Sequence, residues 1–129
     1  VYRLIRIYGV YNADSGLVGE LTYLIGKVSG GTHCDLCDIT HSTFGKKKSW
    51  RAMNSRLQFP VELIHLNDRD LRLRSFTKGI TPCVVLEKED KHWLLIDSKT
   101  LKLCEGEVVE FEKSLIQSLD NLSLCEQTY

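Results

Sequence analysis

Apolar and polar positions alternate at the start of the chain. Arg3, Ile5 and Ile7 alternate with Leu4, Arg6 and Tyr8, and this β-branched and aromatic run predicts a strand over residues 3–10. The period then changes. Leu17, Leu21, Leu24 and Val28 fall at helical spacing, with Val18 and Ile25 widening the stripe, so a helix is expected over about 15–28. Tyr11 to Gly16 is a turn before it, and Asp14 or Ser15 can cap the helix by accepting from its free N–H groups. Gly16, Gly19 and Gly26 weaken the helix by about 1 kcal/mol each relative to alanine. Close packing against a sheet is the plain account of them, and close approach of a ligand near Gly16 is the functional one. Ser29-Gly30-Gly31-Thr32 ends the helix.

Residues 29–45 read as a long connection. A helix follows over about 46–57, with Trp50, Met53 and Leu57 on one face. Lys46, Lys47 and Lys48 oppose the dipole at its start, which places the true start nearer Ser42 or Thr43. Pro60 stops it. Val61 to Leu66 is nearly continuous apolar, the pattern of a buried parallel strand. Asn67 to Asp70 can cap a short helix through Phe76. The alternation of Leu71, Arg72, Leu73 and Arg74 also fits a strand, and the helix is the reading taken. Cys83 to Glu87 and His92 to Asp97 are two strands joined by a charged turn at Glu89-Asp90-Lys91, a β-hairpin. A last helix over about 107–120 carries Val108, Phe111, Leu115, Leu119 and Leu122 on one stripe.

The order is strand, helix, second helix, strand, short helix, hairpin, helix. Its first half implies a right-handed parallel crossover, and its second half an antiparallel pair with a helix returning onto the sheet. A chain of 129 residues with 43% hydrophobic and 26% charged residues fits a single domain, residues 1–129, with an insertion at about 29–45. Seventeen basic and seventeen acidic side chains cancel, which argues against a nucleic-acid surface or an anionic membrane surface. The lysine run 46–48 reads as a solvated face. No apolar stretch has the length of a membrane span. Five cysteines without a visible secretory signal fit thiols in a reducing compartment, so a cytoplasmic protein is expected.

The candidate chemistry lies in His33-Cys34-Asp35-Leu36-Cys37-Asp38-Ile39-Thr40-His41. Three readings are open. Cys34, Cys37 and His41 have spacing that suits a metal ion, with zinc the natural choice because it takes thiolate and imidazole ligands. The fourth ligand would have to come from His33 or from a remote His65, Cys83, His92, Cys104 or Cys125. Alternatively Cys34 and Cys37 form a redox pair, in which a nearby imidazolium lowers the thiol pKa while Asp35 and Asp38 raise it. Thirdly, the cysteines are small buried apolar residues, and Asp38, Thr40 and Ser42 merely cap the next helix. Elsewhere, Cys83 and His65 are expected in the core, Cys104 and Cys125 are bystanders, and His92 lies on the hairpin surface. Signatures of phosphate loops, dinucleotide folds, serine hydrolases and zinc proteases are absent.

The element order resembles the thioredoxin fold. Tyr11-Asn12-Ala13-Asp14-Ser15-Gly16-Leu17-Val18 is similar to the strand-to-helix signature of the DCC thiol–disulfide oxidoreductases, Tyr-Asp-x-x-Cys-Pro-x-Cys. Thr81-Pro82 stands immediately before the hairpin, where thioredoxin-like proteins place a cis-proline, and the last helix follows the hairpin. The resemblance covers most of the chain in element order and rests on short motifs. It implies an α/β three-layer sandwich with a four-stranded mixed sheet and flanking helices. It also implies a ligand cleft between Ser15 and Thr81-Pro82. Ser15 and Val18 stand where the family has its two cysteines, so thiol exchange cannot occur there. If the helix of about 46–57 packs along the sheet, the connection before it carries Cys34, Cys37 and His41 back towards Ser15 and Pro82. The expected function is thiol redox or metal binding at Cys34, Cys37 and His41, at best an atypical oxidoreductase acting on a protein or small-thiol partner. The alternative is a non-catalytic binding scaffold with a structural Cys/His cluster.

Overall fold

The first strand is the centre of the sheet. In the computed structural model, which describes residues 4–14, 34–42 and 45–127, β1 (Ile5–Val10) lies between β4 (Val61–Ile64) and β5 (Cys83–Lys88). It pairs in parallel with β4, with Ile7 opposite Val61, and antiparallel with β5, with Ile7 opposite Leu86. β6 (Lys91–Ile96) completes the order β4-β1-β5-β6. The protein is therefore α/β, with a four-stranded mixed sheet. The hairpin turn is only Glu89-Asp90, both at positive φ (52° and 65°), as a two-residue turn matched to the twist of its strands requires. The helix expected over 15–28, with Ser15, lies outside the described residues, as does His33.

The connection before Trp50 is not a plain loop. It holds helix α1 (Asp35–Thr40) and a two-stranded ribbon of β2 (His41–Ser42) and β3 (Gly45–Lys46). Six residues are too few for a helical period to stand out in the sequence. α1 forms because Leu36, Cys37, Ile39 and Thr40 are all buried and Cys34 caps it. Helix α2 (Lys48–Arg56) starts inside the lysine run rather than near Ser42. Its cap residue Lys47 gives no side-chain cap, and its ammonium instead donates to the Gly106 carbonyl at 2.6 Å.

A single 3-10 turn (Leu66–Asp68) leads to α3 (Leu71–Thr77), which confirms the helix reading of that segment. The Asp70 carboxylate accepts from Leu73 N–H at 2.8 Å and fixes its start. After the hairpin comes a short helix that the apolar pattern did not predict, α4 (Ser98–Leu103), and then α5 (Val108–Gln127). Among the described residues no helix is long and apolar enough to cross a membrane.

Strand alternation sorts the core. On one face Ile7, Val84 and Leu86 meet Leu36 and Ile39 of α1, Trp50 and Met53 of α2, Leu101 of α4, and Phe111 and Leu115 of α5. Trp50 and Phe111 pack edge to face at 5.0 Å between centroids. On the other face Val10, Cys83 and Val85 meet Leu73 of α3. Each such large apolar side chain contributes about 1.5–3 kcal/mol on burial. β4 is parallel, as its sequence suggested, but it is an edge strand. Its Glu62 stays half-exposed and takes Arg6 through two hydrogen bonds, of 2.6 and 2.9 Å.

Candidate active site: a buried thiol pair beside the first strand

β1 ends at Val10 and hands the chain to Tyr11 and Asn12. Three segments converge there. The Tyr11 amide donates to the Ile64 carbonyl at 2.9 Å, which ties the end of β1 to the end of β4. The Asn12 side-chain oxygen accepts from the Thr81 hydroxyl at 2.9 Å, directly before the cis Thr81-Pro82 bond and β5. The Asn12 backbone lies close enough to the Cys34 sulfur to lower its pKa. Cys34 therefore stands at the carboxyl end of β1, one hydrogen-bonded residue away from Thr81-Pro82. Asn12 thus stands between the thiol pair and Thr81.

Cys34 precedes α1 and its sulfur accepts from the Cys37 N–H at 3.3 Å. The Cys37 thiol also donates to it. These donors lower the Cys34 pKa from 9.0 to about 7, with the Cys37 thiol the largest cause and burial opposing it. Cys37 is pushed strongly upwards, because its proton is held by the Cys34 sulfur and because it is buried. One proton is thus shared by two sulfurs, with Cys34 the thiolate and Cys37 the donor. Both residues are nearly closed to solvent, at 4% and 8% exposure. Burial raises the other described cysteines: Cys83 to about 11, and Cys104 in the same direction. Both are core residues, and the Cys104 thiol donates to the Thr100 carbonyl. All four are free thiols.

His41 does not join the sulfurs. Its Nδ1 lies 2.7 Å from the Thr40 hydroxyl, which is also 2.9 Å from the Tyr11 hydroxyl, and its ring leans on Tyr11. Among the described residues, no three His, Cys, Asp or Glu side chains are arranged to hold a metal ion. The other histidines depart from expectation. His65 is partly exposed, within 3.5 Å of Asp68 and against the Tyr11 ring, rather than sealed in the core. His92 is not a surface residue. Its side chain is 7% exposed, stacks on Phe76, and sits 3.2 Å from Glu87 without the alignment of a hydrogen bond.

No protein-family model matches the chain, and no curated protein and no solved structure matches it. The chemistry is therefore read from the site itself. Asn12, Tyr11 and Thr40 are the site residues that sequence reasoning missed. They are ordinary turn and helix residues in sequence, and only folding gives them a sulfur or a histidine to face.

Proposed function

We propose that the chain is a thioredoxin-like thiol–disulfide redox protein, with Cys34 as nucleophile and Cys37 as the resolving thiol. One observation carries this reading. The Cys37 amide donates to the Cys34 sulfur at 3.3 Å, and the Cys37 thiol and the Asn12 backbone beside it also favour the thiolate, which is the environment that ionises a thiol near neutral pH. The strand order β4-β1-β5-β6, with one parallel and two antiparallel pairings, supports the thioredoxin-like assignment, as does Thr81-Pro82 at the entry to β5. The family's pair would then be carried by Cys34 and Cys37, after the segment 15–33, and not at Ser15 and Val18.

In the oxidising direction the Cys34 thiolate attacks one sulfur of a disulfide. The S–S bond breaks and one half leaves as a thiolate that takes a proton. Cys37 loses its proton and attacks the Cys34 sulfur, the second half leaves, and a Cys34–Cys37 disulfide remains. The reverse sequence reduces a disulfide substrate. A zinc site at Cys34, Cys37 and His41 has less support, because among the described residues no three His, Cys, Asp or Glu side chains are arranged to hold a metal ion.

Equilibration of the whole chain in graded mixtures of reduced and oxidised dithiothreitol tests the reading. The expected result is a two-electron transition, a mass deficit of two hydrogens, and a peptide map linking Cys34 to Cys37. Two free thiols across the full range would overturn it, and one bound zinc in the protein as purified would favour the metal site.

A further inference from the structure

Redox proteins that exchange with other proteins must let a second disulfide reach the nucleophile in line. The attacking sulfur and both sulfurs of the substrate align, and the substrate carbons flank them. Cys34 leaves little room for this. At 4% exposure it lies in the same core cluster as Tyr11, Leu36, Cys37 and Trp50. The open cleft of about 510 Å³ bordered by Leu71, Phe76, Asp90 and His92 lies between α3 and the hairpin, and none of its lining residues belongs to the thiol pair. A nucleophile enclosed in this way selects by size. A molecule of two oxygen atoms needs only a narrow opening.

Resting on the redox reading above, we propose that the oxidant of Cys34 is a small hydroperoxide, of which hydrogen peroxide is the simplest, and not a protein disulfide. The Cys34 thiolate attacks one peroxide oxygen and the O–O bond breaks. The leaving hydroxide takes up the proton that Cys34 released on ionising and departs as water, so Cys34 becomes a sulfenic acid. The Cys37 thiol was held protonated chiefly by donating to the thiolate, and the sulfenic acid no longer carries that negative charge. Freed of it, Cys37 attacks the Cys34 sulfur, its proton leaves with the hydroxyl as water, and the disulfide closes. The sum is two thiols and one peroxide giving one disulfide and two waters. The same enclosure shields the sulfenic acid from outside thiols until Cys37 reaches it.

The test compares two oxidants on the reduced full chain, hydrogen peroxide and glutathione disulfide, each with the folded protein and with the protein unfolded in urea. The expected result is that folding raises the ratio of the peroxide rate to the glutathione disulfide rate by about tenfold or more, because enclosure excludes only the larger reagent. Cys37→Ser should then trap the sulfenic acid, seen as one dimedone adduct on Cys34 when dimedone is added together with urea after the peroxide has been removed. The rate ratio needs no variant, so it stands even if Cys37→Ser folds poorly. An unchanged or lowered ratio, with the disulfide forming readily from glutathione disulfide, would overturn the peroxide proposal and leave the redox reading standing. Dimedone on a cysteine other than Cys34 would also overturn it. Failure of both oxidants to link Cys34 to Cys37 would overturn the two together.

Discussion

Cys34 and Cys37 have the same side chain and opposite acid–base behaviour, and the difference comes from which atoms face each sulfur. Cys34 receives hydrogens from Cys37 and has the Asn12 backbone beside it, whereas Cys37 gives its own. Cys37→Ala removes the strongest donor, so the Cys34 midpoint should move from about 7 back towards 9.0, read from the ultraviolet absorbance of the thiolate against a parallel titration of Cys34→Ser. A midpoint that stays near neutrality would show that the backbone at residues 37 and 12 suffices.

The same pair sets a pH dependence of stability. The unfolded chain keeps the Cys34 proton up to about pH 9, and the folded chain gives it up near 7. Stability from Cys34 is therefore present in full above about 9 and is lost as pH falls through about 7. Cys37 acts with the opposite sign: its raised folded pKa costs nothing below about pH 9 and erodes stability above it. Reduced protein should gain stability between about pH 7 and 9 and lose it beyond. Urea midpoints of the native chain minus those of Cys34→Ser would show the hump, and a flat difference would contradict it.

At the scale of elements, short pieces are held by side chains that bridge them. The Asn54 amide on α2 donates to the Val61 carbonyl at 3.0 Å and accepts from the Val61 N–H at 2.7 Å, so one side chain sets where the helix stops and β4 begins. Asn54→Ala leaves both Val61 groups unpaired at a residue only 4% exposed, and should cost about 1–3 kcal/mol in urea denaturation. A loss of only a few tenths would mean that water takes both places. α1 and α4 span six residues each and escape periodicity for the same reason. The Asp97 carboxylate that caps α4 accepts from Thr100 N–H at 2.8 Å, and this bond holds its pKa below the ordinary carboxylate range.

Across the whole molecule, the distance between helix layer and sheet determines whether the thiol pair meets Asn12. Gly9 is the next-to-last residue of β1, beside Leu36 of α1. A Cβ there would lie 3.0 Å from Leu63 Cδ2, 3.1 Å from Val61 Cγ1 and 3.4 Å from Leu36 Cδ2. Alanine asks those methyl groups to give way slightly. Gly9→Val cannot be absorbed so easily, and should cost about 1–3 kcal/mol by overpacking. It should also lift Leu36, and with it α1, away from the strand. The thiolate-absorbance midpoint of Cys34 would then rise together with the loss of stability. Lost stability with an unchanged midpoint would separate the sheet contact from the thiol environment.

Much of this protein is local in origin and could be seen in the chain alone. β1, the hairpin from Cys83 to Ile96 and the last helix follow from periods of two and 3.6. Those periods reflect which side of an element meets the core, so they are written into consecutive residues. The Cys34/Cys37 spacing is local too, and it marked the reactive stretch. What the pair does was left open between metal, redox and structural roles, because that depends on neighbours far away in sequence. Asn12 is brought to Cys34 by the end of β1, and Thr81 is brought to Asn12 by the antiparallel pairing of β5 with β1. His92 and His65 exchanged their expected surroundings for a similar reason. Their exposure is set by Phe76 on α3 and by the edge position of β4, not by the residues beside them. Sequence determined the long elements and the reactive atoms. Only the tertiary structure decided which sulfur is the thiolate, since hydrogen-bond donors act on the sulfur they face, however far apart they stand along the chain.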